Sequence, residues 1–238
     1  MVAERLGEPD EGIFRGEAPA IAGMNWNDPN VVLVLDEQRI ARGRGWISSG
    51  FESPRRWALS ERKFEHRSGM ITKSATRAFV LSRLGPGPGD LTWDVGAGSG
   101  SVAIECARLG AAAIAIERDP ESCARIRRNA EHHGVRVQLV EGMAPGVMLE
   151  LPEPDAVFVG GSGGAFEEIV KLSAVRARRT VVLALVSLER VVPAAKLLED
   201  CGLEVETTFL QASGMKGVGN MHRLAAESGV FVVSGSRP

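Results

Sequence analysis

The stretch Leu91-Thr-Trp-Asp-Val-Gly-Ala-Gly-Ser-Gly-Ser-Val-Ala-Ile-Glu105, followed by Ala113-Ile-Ala-Ile-Glu117, decides the fold. It reads as a strand, a glycine-rich turn, a helix, and a second strand ending in a carboxylate. Gly96, Gly98 and Gly100 let the backbone turn sharply and approach a ligand where a Cβ would intrude. The turn opens a helix, so unpaired N–H groups face whatever occupies the crevice. Glu117, about 20 residues on and at the end of the next strand, stands where a carboxylate accepts two ribose hydroxyl protons. The pattern predicts a site for a nucleoside cofactor.

The spacing narrows the choice. A dinucleotide fingerprint asks for G-x-G-x-x-G. Here the pattern is G-x-G-x-G, and the sixth position from Gly96 is Ser101, from Gly98 Ala103. Asp94, two residues ahead of the first glycine, repels a pyrophosphate but suits an ammonium or a sulfonium. S-adenosylmethionine carries both cations, so Asp94 favours it over NAD. A tight strand–helix turn with no ligand remains the plain alternative.

Working outward, strands are predicted at 91–95, 112–117, 136–140, 155–159 and 180–186, with helices near 100–109, 120–133, 164–175 and 188–200. That alternation is the pace of βαβ units and a parallel sheet. Pro120 suits a helix first turn, and Gly134 and Gly202 suit helix ends. Upstream, Thr72 is placed to cap a helix running to Leu84 and closed by Gly85. The segments 203–211 and 229–235 read as an antiparallel pair ending the sheet, with 212–228 a glycine-rich, basic loop between them, a lid in position. The first 65 residues break the rhythm. Asn30-Val-Val-Leu-Val-Leu-Asp36 reads as one lone buried strand, and Ala41 to Lys63 as a basic segment with the pairs Arg55-Arg56 and Arg62-Lys63.

At 238 residues the chain fits one ordinary domain plus an appendage. A net charge of −2 excludes a strongly basic nucleic-acid binder. The three cysteines, Cys106, Cys123 and Cys201, show no metal spacing and read as thiols of a reducing cytoplasm, so no metal site is expected. The first residues lack the apolar core of a signal peptide and no run approaches the length of a membrane span, so no membrane association is expected.

Four segments in order make a resemblance specific: Phe64-Glu-His-Arg-Ser-Gly-Met-Ile-Thr-Lys73, Trp93-Asp-Val-Gly-Ala-Gly-Ser-Gly-Ser-Val-Ala-Ile-Glu105, Glu141-Gly-Met-Ala-Pro145 and Pro154-Asp-Ala-Val-Phe-Val-Gly-Gly-Ser162. Together they resemble the CbiT-type methyltransferases, equivalent to the C-terminal half of the CobL-type precorrin-6Y methyltransferases (decarboxylating) of cobalamin biosynthesis. Leu6-Gly-Glu-Pro-Asp-Glu11 and Asn30-Val-Val-Leu-Val-Leu35 are similar to the closing segment of the N-terminal methylase in the two-domain enzymes. The resemblance implies residues 1–40 as a remnant of that tetrapyrrole methylase domain, 41–63 as a basic linker and 64–238 as a methyltransferase domain. The implied fold is α/β, a class I S-adenosylmethionine-dependent methyltransferase: Rossmann-like, seven-stranded, with an antiparallel last strand.

The implied reaction methylates carbon-15 of a precorrin and removes the carboxyl of the carbon-12 acetate. S-adenosylmethionine is the donor and S-adenosylhomocysteine the product. The methionine end would lie along Asp94, Gly96, Gly98, Gly100 and Ser101, the ribose on Glu117, and the adenine against Gly142, Met143 and Ala144. Arg118 is expected to face solvent, and Met143 has core filling as its alternative. Thr72 divides evenly between helix cap and cofactor contact. The substrate's many carboxylates call for cations at the rim; the candidates are His66, Arg67, Lys73, Lys216 and Arg223, with Gly161 and Ser162 forming the wall between cofactor and substrate. Arg77, one turn from Lys73, either joins them or lies on a solvated helix face. No catalytic residue is assigned; His66, His222 and Glu105 are the titratable groups considered for proton donation. A homo-oligomer is expected from the family, with the methylase half of the parent enzyme as a possible second partner. Two other readings stand: a methyltransferase of RNA or protein, weakened by Phe158-Val-Gly-Gly-Ser162 where an (N/D)-P-P-(Y/F/W) motif would stand and by the absence of tyrosine, and a non-catalytic tetrapyrrole-binding subunit.

Overall fold

The computed structural model describes residues 1–34, 56–161 and 163–238, which fall into two units, Met1–Glu52 and Ser53–Pro238. In the small unit, Val2–Glu4 (β1) is flanked by Gly12–Phe14 (β2) and Asn30–Val32 (β3), both antiparallel to it, with the short helix Ala18–Ala22 (α1) between β2 and β3. This corrects the expectation of a lone buried strand at 30–36. β3 pairs with β1 in the register Val2↔Val32 and Glu4↔Asn30, and its residues are exposed. Burial falls instead on Val2 and Ala3 of the central strand. The remainder of that run and most of the basic segment 41–63 lie outside the described residues.

The large unit contains Ser74–Leu84 (α2), Leu91–Val95 (β4), Ser101–Arg108 (α3), Ala112–Glu117 (β5), Pro120–His132 (α4), Gln138–Glu141 (β6), Ala156–Val159 (β7), Phe166–Arg176 (α5), Thr180–Leu185 (β8), Val191–Asp200 (α6), Glu204–Leu210 (β9), Ser213–Val218 (β10), Met221–Ala226 (β11) and Val230–Ser236 (β12). Seven strands form one sheet in the order β6-β5-β4-β7-β8-β12-β9. Pairing is parallel from β6 to β8, and β12 runs antiparallel to both β8 and β9. This is the class I methyltransferase arrangement that the sequence predicts.

Period-two alternation divides the core between the two faces of the sheet. Along β5, Ile114 and Ile116 pack on the face covered by α5 and α6, together with Trp93, Val95 and Val157. Ala113 and Ala115 point the other way, where small side chains let Val80, Leu84, Val102 and Cys106 of α2 and α3 come close. The chain leaves β4 for β5 on one side and reaches β7 on the other, so the sheet's switch point lies between β4 and β7, where open α/β sheets hold ligands.

Two local expectations need correcting. Helix α2 ends at Gly85, in the left-handed conformation at φ +55°, as expected, but it begins at Ser74, with Lys73 in the cap position. Thr72 makes no capping bond; the Ser74 amide donates to Glu61 Oε1 at 2.6 Å. A carboxylate from the preceding single turn, Glu61–Lys63, thus takes over the role. The stretch 212–228 is not a loop. Lys216 pairs with Arg223 across a β10–β11 hairpin that closes at Gly219-Asn220, with Gly219 at φ +59°. A two-residue glycine-containing connection is what such a hairpin demands.

Residues 56–63, within the basic linker segment, are tied to the large unit. The Leu59 amide donates to Glu105 Oε1 (2.7 Å), and Arg108 donates to the Arg56 carbonyl (3.1 Å). Among the described residues no helix is long and apolar enough to cross a membrane.

Candidate active site

At the β4–β7 switch point a cleft of about 1000 Å³ opens, and its floor is the glycine turn. The Gly96 and Ala97 amides both donate to the Ile116 carbonyl (2.9 and 3.1 Å), tying the turn to β5. The Gly160 and Gly161 amides donate to the Val95 carbonyl (3.0 and 3.3 Å), tying the loop after β7 to β4. The two loops meet so closely that a Cβ on Gly96, which sits at φ +70°, would lie 2.1 Å from the Gly161 carbonyl oxygen. A Cβ at Gly98 would meet nothing within 4 Å, because that residue faces the open cleft. Gly100 caps α3 in the left-handed conformation.

Asp94 lines the cleft while only 3% exposed. Its Oδ2 accepts from the Ala103 amide at 3.0 Å, and its buried Oδ1 has no partner among the described residues. Burial pushes the carboxyl up to about 7; the Ala103 amide opposes that shift and the Glu117 charge adds to it. Glu117 is held by three backbone amides: Gly98 on Oε2 (2.8 Å), Arg118 and Asp119 on Oε1 (2.9 and 3.0 Å). A carboxylate offers about four lone-pair sites, so one remains without displacing the turn. Across the crevice, the Gly142 amide donates to the Glu117 carbonyl (2.9 Å), and a Cβ at Gly142 would lie 2.4 Å from Val147 Cγ1. Met143 is 63% exposed on the cleft wall beside Ala144, which removes core filling as its role.

The cleft therefore gathers Thr72, Lys73, Asp94, Gly96, Gly98, Ser101, Glu117, Gly142, Met143, Ala144 and Gly161. Gly100 stands just behind the lining, and Ser162 lies outside the described residues. His66, Lys216 and Arg223 do not line it. Lys216 and Arg223 are neighbours on the exposed hairpin, and His66 Nδ1 accepts from the Gly69 amide at 3.2 Å. Arg118, expected in solvent, is exposed but forms part of the lip together with Arg67 and Arg125. Thr76, buried in the first turn of α2, also faces the cleft.

Neither reading of Arg77 holds. Its side chain is wholly buried; Nε lies 3.5 Å from Glu105 Oε1, and the guanidinium donates to the Thr72 carbonyl (2.5 Å) and to the Leu59 carbonyl. Glu105, equally buried, also binds Arg108 Nη1 at 3.0 Å. It does not line the cleft, so it does not reach a substrate there. His222 is exposed on β11.

A model of the precorrin methyltransferase domain matches residues 62–235. The chain belongs to the precorrin methyltransferase domain family. A protein from Pyrobaculum calidifontis named "Probable cobalt-precorrin-6B C(15)-methyltransferase (decarboxylating)" is 34% identical over 183 residues, 74% of this chain and 94% of that protein. A Sinorhizobium "Precorrin-6Y C(5,15)-methyltransferase [decarboxylating]" is 52% identical over 103 residues, 42% of this chain but only 25% of that protein. This chain thus matches about a quarter of that relative's length. The crystal structure of precorrin-6Y C5,15-methyltransferase from Geobacter metallireducens GS-15 aligns at a TM-score of 0.72 and 34% identity, over 76% of this chain and 97% of that one. In this precorrin methyltransferase domain the matched region contains the whole cleft.

Proposed function

We propose that the chain uses S-adenosylmethionine to methylate carbon-15 of a precorrin, with loss of the carbon-12 acetate carboxyl as CO₂. The observation that carries this is Asp94: a buried carboxylate with one oxygen unpartnered, facing a glycine-floored cleft in a precorrin methyltransferase domain. An unpaired buried carboxylate is costly, and a cation beside it relieves the cost. The donor fits the cleft on the same grounds. Asp94 would hold its cationic methionine end, with Thr72 beside it. Glu117 would take the ribose, releasing the Gly98 amide if both hydroxyls bind, and Gly142, Met143 and Ala144 would flank the adenine. When bound, S-adenosylmethionine supplies an electrophilic methyl group on a sulfonium.

The chain's own part is positioning and charge. The Gly96–Gly161 contact brings the cofactor loop and the loop at the substrate wall to one surface, with no side chain between them. In the decarboxylation the macrocycle's own imine takes up the electron pair that CO₂ leaves behind, and, with no histidine lining the cleft among the described residues, a solvent proton completes the carbon-12 methyl group. Incubation with S-adenosylmethionine and the reduced precorrin, followed by product masses, tests the reading. One methyl gained with CO₂ lost is expected. Gain without loss removes the decarboxylation, and an unchanged mass removes the assignment.

Three further points belong to this reading. Residues 1–40 derive from a tetrapyrrole methylase domain, a reading that rests on the resemblance of residues 6–11 and 30–35 to the closing segment of such a domain. The protein works as a homo-oligomer. It works in the cytoplasm, in keeping with three free cysteines.

A further inference from the structure

We propose that the turn Arg67–Met70 is a carboxylate clamp for the substrate, and that His66 is the positioning residue that sets it. The inference rests on the tetrapyrrole reading above. The Met70 amide donates to the Arg67 carbonyl at 2.7 Å, and the two residues form an antiparallel bridge. Between them Ser68 and Gly69 lie at φ +43° and +76°, the pair of positive values that marks a type I′ turn. A serine at positive φ is strained, so something must hold it. Two side chains do. His66 Nδ1 accepts from the Gly69 amide (3.2 Å), and Lys73 Nζ donates to the Gly69 carbonyl (3.4 Å).

The turn so fixed contributes Arg67 and Met70 to the mouth of the cleft. The Arg67 side chain makes no hydrogen bond and no ion pair within 4 Å among the described residues, whereas Arg83, Arg127, Arg128 and Arg179 all do. Met70, 69% exposed, offers a polarizable apolar surface beside it. A guanidinium with no hydrogen-bonded partner, near enough to the Asp119 carboxylate to act on its charge, and next to an exposed thioether at a cleft mouth, matches a flat apolar ring bearing carboxylates at its edge. His66 thus acts through the Gly69 amide and not by touching the ligand.

The test uses the full chain and two readouts. The first is binding of uroporphyrin, a stable octacarboxylate tetrapyrrole, followed by quenching of protein fluorescence; the second is binding of S-adenosylhomocysteine by calorimetry. Arg67→Gln should weaken uroporphyrin binding about 10- to 100-fold and leave S-adenosylhomocysteine binding unchanged. Arg67→Lys should recover only part of the loss, since it keeps the charge but not the fork. His66→Leu should weaken uroporphyrin binding as Arg67→Gln does, and His66→Asn, whose carboxamide oxygen can accept from the same amide, should restore it. The clamp is overturned if the wild-type chain binds no uroporphyrin, if Arg67→Gln binds it equally well, or if S-adenosylhomocysteine affinity falls in parallel. The role of His66 is overturned if Leu and Asn behave alike. Failure of precorrin turnover with these binding differences intact would overturn the proposed reaction and leave the clamp standing.

Discussion

A carboxyl that is 3% exposed, with one oxygen on the Ala103 amide and the other unpartnered, binds its proton more tightly in the folded chain than in the unfolded one. Asp94 therefore goes from 3.8 up to about 7 on folding, chiefly through burial. Between those values the native state holds the extra proton, so this group makes the ligand-free protein less stable as pH rises, and the effect levels off above about 7. A cationic ligand needs the ionised form, so S-adenosylmethionine affinity should climb with pH to about 7 and then flatten. Asp94→Asn should abolish the climb, as calorimetric titrations across that range would show; a slope that survives in the variant assigns the dependence elsewhere. Repeating the series with S-adenosylhomocysteine, which keeps the ammonium but lacks the sulfonium, tells which cation Asp94 meets. At Gly96 no side chain fits, because the Gly161 carbonyl is already there. Gly96→Ala should retain the far-ultraviolet circular dichroism of the fold yet bind cofactor at least about tenfold more weakly.

Helix α2 shows what local pattern can and cannot reveal. Its end at Gly85 is legible because a left-handed cap is a property of one residue. Its start is not, because the group that caps Ser74 is Glu61, thirteen positions upstream and brought there by tertiary folding. Glu61→Ala should cost about 1 kcal/mol, seen as a fall of a few degrees in the melting temperature. The Arg77–Glu105 pair was invisible for the same reason: α2 and α3 present those residues to each other only once both lie on the sheet. Arg77→Met leaves Glu105 with only Arg108 and the Leu59 amide, and leaves the Thr72 and Leu59 carbonyls without their donor; it should destabilise the unit by about 2–3 kcal/mol in urea unfolding. The glycine turn, Glu117 and Gly142 were legible because each is a local sequence feature at a strand end. Of the lip cations, Arg67 was among the rim candidates, whereas Arg118 and Arg125 were not, since they differ from any surface arginine only by what faces them. The β10–β11 hairpin was obscured by its own composition, for glycine and lysine weaken the alternation that marks a strand.

The large unit carries the entire cleft, so residues 53–238 alone should bind S-adenosylhomocysteine within about twofold of the full chain. A marked loss would show that the first 52 residues contribute to the site. The order of strands in space has a consequence for how the polypeptide is made. β9 is synthesised before β12, yet β12 stands between it and β8, and β9 has no other neighbour in the sheet. As the nascent chain leaves the ribosome, β4 to β8 can pair as they emerge, while β9 must wait through the whole β10–β11 hairpin for its partner. During that interval the edge of β8 is open and β9 is unpaired, the state in which a strand is most prone to join the wrong chain. Along β9, Val205 and Thr208 are partly covered while Glu204, Glu206 and Thr207 are exposed, which places carboxylates on the waiting strand. Those charges guard a strand that translation delivers too early.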